Sequence, residues 1–108
     1  MSDTLAAILE RIARRAVHVS DHAYEEMRKD DILPSEALAG MERAAVVEDY
    51  PDANRGPSVL VLLHDGNGKP VHAVWGIPRR RREIAVLITS YRPEASLWTK
   101  DFLKRIDQ

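Results

Sequence analysis

The chain has 108 residues, 44% of them apolar and 31% charged, with no cysteine and a formal net charge of −1. That length suits one domain, residues 1–108, with its own core, and the composition excludes disulfides and thiolate metal sites. The near-neutral total argues against coating of the whole surface by nucleic acid, and no apolar run approaches the roughly 20 residues that cross a bilayer.

The charge is unevenly placed. Residues 1–53 hold 6 Lys+Arg against 12 Asp+Glu, a net of −6, while residues 54–108 hold 10 against 5, a net of +5. Ordinary surface variation gives such a split, and so does an anion-facing sheet region backed by acidic helices. The opening MSDTLAAILERIARR carries acidic residues and no long apolar stretch, so it does not read as a secretion signal, and the expected location is cytoplasmic.

Leu5, Ile8, Leu9, Ile12 and Ala13 recur at helical spacing and predict a helix over residues 3–16, capped by Asp3 or Thr4. Val17-His18-Val19 has the β-branched character of a short edge strand. Ser20 is placed to cap a second helix over Asp21–Lys29, with Ala23, Tyr24 and Met27 on one face. Ser35 is the expected cap of a third, short helix that buries Ala37, Leu38 and Met41. Ala45–Tyr50 reads as a strand ended by Pro51, and the turn formers of 51–57 follow it.

Three apolar runs then predict a β-meander: Val59–Leu63, Val71–Trp75 and Ile84–Ile88. Asp65-Gly66-Asn67-Gly68 is a strong hairpin signal between the first two. Pro78 must end the second strand, since proline cannot donate to a ladder. A last helix is expected over Thr99–Ile106, anchored by Trp98, Phe102 and Leu103. The whole reads as α+β: N-terminal helices packed on one face of a curved, mainly antiparallel four-stranded sheet, and a C-terminal helix.

The stretches SDHAYEEM, VVEDYPD, RGPSVLVLL, PVHAVWGI, ITSYRPE and WTKDF, running from Val19 to Phe102, resemble a small bacterial family of unknown function with a S-x-H-A helix motif. Its fold looks like that of the RelE and ParE toxins. The resemblance implies a RelE-like domain, acting as a toxin of a toxin–antitoxin pair or as a metal-independent endoribonuclease on RNA. An antitoxin or other protein partner is then expected.

Such a nuclease needs a base, an acid and cations for phosphate, but no cofactor and no metal. His22 lies in the first turn of its helix, where the positive dipole end favours the neutral, base-competent ring. Equally, it can pack under the sheet as a structural histidine. His72 shares a strand face with Val74, opposite Val71, Ala73 and Trp75. On an open face it is a site residue, and under the helices it is a core residue. A two-residue Asn67-Gly68 turn would place His64 on the other face from His72, and a longer loop would place both together. Tyr91 is suited to stack on a base or donate a proton, which makes His22, His72 and Tyr91 the catalytic candidates.

Arg55, Arg92, Arg79 and Arg80 are the phosphate-binding candidates, because guanidinium forks match phosphate oxygens. The run Arg79–Arg82 is otherwise a solvated hairpin tip. Trp75 and Trp98 are suited to stack on bases, and at strand and helix anchors they are read first as core. Glu48, Asp49 and Asp52 cluster beside a loop without a histidine at ligand spacing, so they make a poor metal site. A rival reading is a non-catalytic interaction module or toxin relic. It would bind a partner through an edge strand and the arginine hairpin. Edge pairing would also make a homodimer. No membrane partner is expected.

Overall fold

The computed structural model describes residues 2–106; Met1, Asp107 and Gln108 lie outside the described residues. Among them are helices α1 (Asp3–Ala13), α2 (Asp21–Lys29) and α3 (Pro34–Ala39), a short 3-10 turn at Gly40–Arg43, and five strands. The strands are β1 (Val17–Val19), β2 (Ala45–Tyr50), β3 (Ser58–His64), β4 (Pro70–Gly76) and β5 (Ala85–Tyr91). They form one sheet in the order β1-β5-β4-β3-β2. The sheet therefore has five strands rather than four. Val17–Val19 is its fifth member, an edge strand parallel to β5, while every other pairing is antiparallel.

Strand alternation sends Val59, Val61, Leu63, Val71, Ala73 and Trp75 to one face. There they meet Leu5 and Ile8 of α1, Ala23 and Met27 of α2, and Ala37 of α3 in the main core. Each helix turns its one apolar stripe to the sheet, so all three cover the same face.

The caps differ in detail from expectation. Ser2 caps α1, its hydroxyl accepting from the Leu5 N–H at 3.0 Å, because it is the earliest of three cap-competent residues. Ser20 caps α2 as expected, accepting from the Ala23 N–H at 3.0 Å. In α3 the cap position belongs to Leu33 and not to Ser35, because Pro34, with its fixed φ and missing N–H, suits the first helical position.

No helix forms over Thr99–Ile106. The segment folds back on itself through a Trp98–Arg105 bridge, with the Thr99 N–H on the Lys104 carbonyl at 2.8 Å and the Ile106 N–H on the Leu97 carbonyl at 2.9 Å. Asp101 competes for the donors a helix would use, accepting from the Thr99 hydroxyl at 2.6 Å and the Leu103 N–H at 3.0 Å. Phe102 sits at φ 61°, where a right-handed helix cannot continue.

This C-terminal segment lies on the helix-free face. Leu60, Leu62 and Trp98 are buried yet stand outside the main core, making a second, smaller apolar layer. None of the helices among the described residues is long and apolar enough to cross a membrane.

Candidate functional site

Two loops meet at one end of the sheet. The β2–β3 loop carries Arg55, and the β4–β5 loop carries Arg79 to Arg82. Their backbones are tied together: Ile77 N–H donates to the Pro57 carbonyl at 2.9 Å, and Arg79 N–H to the Arg55 carbonyl at 3.1 Å. Gly56 makes this approach feasible. Its φ is +121°, and a Cβ there would stand 2.0 Å from the Ile77 carbonyl oxygen.

Helix α1 fixes the second loop from the side. The Arg11 guanidinium donates twice to the Arg82 carbonyl, at 2.8 and 2.6 Å, and Arg14 donates to the Glu83 carbonyl at 3.3 Å. These bonds hold the loop backbone and leave its side chains outward. Arg55, Arg79, Arg80 and Arg82 are exposed, and no acceptor meets their guanidinium groups among the described residues. Arg81 differs, since it pairs with Glu83 at 3.2 Å.

Two depressions flank this cluster, each of about 450 Å³. One lies between α1 and the loops, lined by Arg11, Arg79, Arg82 and Asp52. The other opens on the helix-free face. Its floor is Ser58, Gly76, Val86 and Ile88, and Arg55 stands on its rim. Ile88 reaches this floor because a bulge in β5 sets it outside the ladder, 41% exposed. Neither depression contains a histidine. The arrangement offers a place for an anion over a small apolar floor, and the exposed His18 of β1 stands beside it, in register with Val86.

The remaining expected site residues lie elsewhere. His22 is exposed on α2, on the helix side of the sheet. His72 pairs in register with Leu62 and Tyr91 on the opposite face and is fully buried. The sheet therefore stands between the two histidines. His64 joins His72 on one face, since five residues separate the paired His64 and Pro70, but it is exposed at the strand end.

What buries His72 is the C-terminal segment. Its Nε2–H donates to the Phe102 carbonyl at 2.8 Å, so in the neutral ring Nδ1 is the bare nitrogen, and Nδ1 has no partner among the described residues. Trp98 packs edge-on against the imidazole at 4.4 Å between centroids, and Tyr91 at 5.6 Å. Burial lowers the His72 pKa from the usual 6.5, the Phe102 carbonyl opposes that, and Arg105 nearby adds to it. Burial likewise raises the Tyr91 hydroxyl above its usual value.

Arg92 is fastened into the fold. Its guanidinium donates to the carbonyls of Asp30 (3.2 Å), Pro70 (3.3 Å) and Asp31 (3.3 Å) and pairs with the Asp65 carboxylate at 2.8 Å. Its backbone N–H donates to Asp30 at 2.8 Å. The Lys69 N–H first, and Arg92 after it, hold the Asp65 carboxyl below the usual carboxylate range. Glu48, Asp49 and Asp52 assemble no metal site; among the described residues no group of three potential ligands converges.

Sequence reasoning missed Arg11 as the clamp of the arginine loop and Ile88 as part of the floor. Arg11 lies on the last turn of a helix, where it reads as dipole compensation, and a bulge has no period to betray it.

The family described as a domain of unknown function, DUF4258, matches residues 19–92. That span takes in α2, α3 and the sheet from Val19 onward, and it stops short of the C-terminal segment. No curated protein and no solved structure matches the chain.

Proposed function

We propose that this chain, which belongs to the DUF4258 family, binds single-stranded RNA along the arginine end of its sheet. One observation carries the reading: Arg55, Arg79 and Arg80 are gathered by two mutually tied loops, and their forked donors meet no acceptor among the described residues. Phosphate oxygens are the ligand such forks match best. The apolar floor beside Arg55 gives a base edge or sugar a place to rest. The sequence motifs resemble a family whose fold looks like that of the RelE and ParE toxins, and that fold-level analogy points to the same ligand.

The proposal is for binding. Cleavage by His22 and His72 acting as a pair is not part of it, because the sheet separates them. The test is fluorescence anisotropy of a labelled single-stranded oligoribonucleotide titrated with wild type and with Arg79→Ala/Arg80→Ala. The double variant binds about tenfold more weakly while its thermal unfolding stays unchanged. Equal affinity of the two proteins, or no binding by either, contradicts the reading.

A second reading rests on β2, whose outer edge is unpaired over Ala45–Tyr50 and runs directly into the arginine-bearing loop. A protein partner adding a strand there would place acidic side chains within reach of Arg55. An acidic peptide competing with RNA at equal charge, and protecting β2 amides from exchange, would favour it. A homodimer through the same edge would show as protection that rises with protein concentration alone.

A further inference from the structure

The helix-free face is divided in two. Its loop end is open and floored by Ser58, Gly76, Val86 and Ile88. Its hairpin end is covered by residues 93–106, here termed the strap. We propose that the strap covers a second section of the RNA track, a site for one unpaired nucleobase against His72 and Tyr91, and that the Trp98 indole occupies the place of that base. This inference rests on the RNA-binding reading and deepens it.

Four observations support it. The first is the orphaned Nδ1 of His72, fully buried yet on the outer face rather than in the main core. A protein interior seldom leaves such an acceptor bare, whereas a base with an exocyclic amine or imino N–H supplies the missing donor. The second is the shape of the occupant. A planar heteroaromatic ring from outside the sheet already packs edge-on against His72, at 4.4 Å between centroids, and Tyr91 packs against the same imidazole at 5.6 Å.

The third is the weakness of the cover. The strap holds no helix and only one isolated bridge. Its link to His72 runs through the carbonyl of Phe102, a residue held at φ 61°, which L side chains rarely adopt. Such segments open at lower cost than ladders and helices. The fourth is continuity. Leu60, Leu62 and His72 lie on the same face as Ser58 and Gly76, so base site and arginine end share one surface. Arg105 sits 4.9 Å over the Trp98 ring and would be released with it, adding a cation to the track. The DUF4258 match includes His72 and Tyr91 and ends at Arg92, before the strap.

The exchange involves no covalent step. A base displaces the indole, the Phe102 carbonyl leaves Nε2, and the strap swings into solvent.

The test uses the full-length wild-type protein with two probes of equal phosphate count, an oligoadenylate and its abasic ribose-phosphate counterpart. Acrylamide quenching reads the two tryptophans, and Trp98→Phe reports buried Trp75 alone, so the difference belongs to Trp98. Saturating oligoadenylate makes Trp98 severalfold more quenchable and speeds trypsin cutting at Lys100 and Lys104, while the abasic probe binds without doing either. Oligoadenylate affinity exceeds that of the abasic probe by about tenfold. Arginine-dependent binding of both probes with equal affinity, or with Trp98 still shielded, overturns the base site and leaves the RNA-binding reading standing. Failure of both probes to bind overturns the reading and the inference together.

Discussion

The two ends of the sheet use the same side chain in opposite ways. At the hairpin end, Arg92 meets three carbonyls and the Asp65 carboxylate, and the Gly66 N–H donates to Glu36 across the same corner. At the loop end, Arg11 and Arg14 satisfy carbonyls of the loop, while Arg55, Arg79 and Arg80 are exposed with no acceptor among the described residues. Arginines whose acceptors are supplied by the fold hold the fold. Arginines left without them are the ones proposed to meet RNA phosphates. Net charge alone does not make this distinction, since the ends differ in where the acceptors are as well as in how many charges they carry.

Substitutions sharpen the contrast, ordered here by their expected effect on stability. Trp98→Ala removes the anchor of the strap and should cost about 3 kcal/mol in chemical denaturation. A loss under about 1 kcal/mol would mean the strap is scarcely docked in solution. Arg92→Ala removes the ion pair to Asp65, whose carboxylate keeps the Asn67 and Lys69 N–H groups, and the donors to three carbonyls, and about 2 kcal/mol should be lost. RNA affinity per folded molecule should not change, and a fall in affinity would erase the difference between the ends.

Acidification gives a smaller effect with a defined sign. The folded His72 has a lowered pKa, so the unfolded chain binds the proton more readily. The stability linked to His72 is fully present above the ordinary value of 6.5 and is lost as pH falls through the lowered folded value. Denaturation midpoints across that interval should fall in wild type and fall less in His72→Gln. Identical pH profiles would show that His72 is not buried neutral. Finally, Arg79→Ala/Arg80→Ala should leave stability within about 0.5 kcal/mol of wild type, the behaviour of exposed side chains without partners.

Much of the fold could be read from periodicity. The stripe of α1, the cap at Ser20 and the meander follow from spacing and turn chemistry, and the face shared by His72 and Val74 follows from strand alternation. The C-terminal helix was misread because Asp101 and the carbonyl of Phe102 find partners outside a helical ladder, one local and one on His72. The latter contact is separated by 30 residues, and no local pattern encodes it. The site was legible in part. Arg55, Arg79 and Arg80 could be named from the sequence, and their gathering at one end depends on the antiparallel order of β2 to β5. That Arg92 differs from them rests on Asp30, Asp31, Asp65 and Pro70, all remote in sequence. Which histidines share a face turned on one residue of hairpin length.

The most direct test of the account is the salt dependence of RNA binding. For single strands the slope of log affinity against log salt is about −0.7 per phosphate neutralised. Wild type, Arg92→Ala and Arg55→Ala/Arg79→Ala/Arg80→Ala should be titrated with one oligoribonucleotide over a range of salt. The account predicts that the triple variant loses about two units of slope, and that Arg92→Ala keeps the wild-type slope. Equal slopes in all three proteins, or a loss confined to Arg92→Ala, would contradict it.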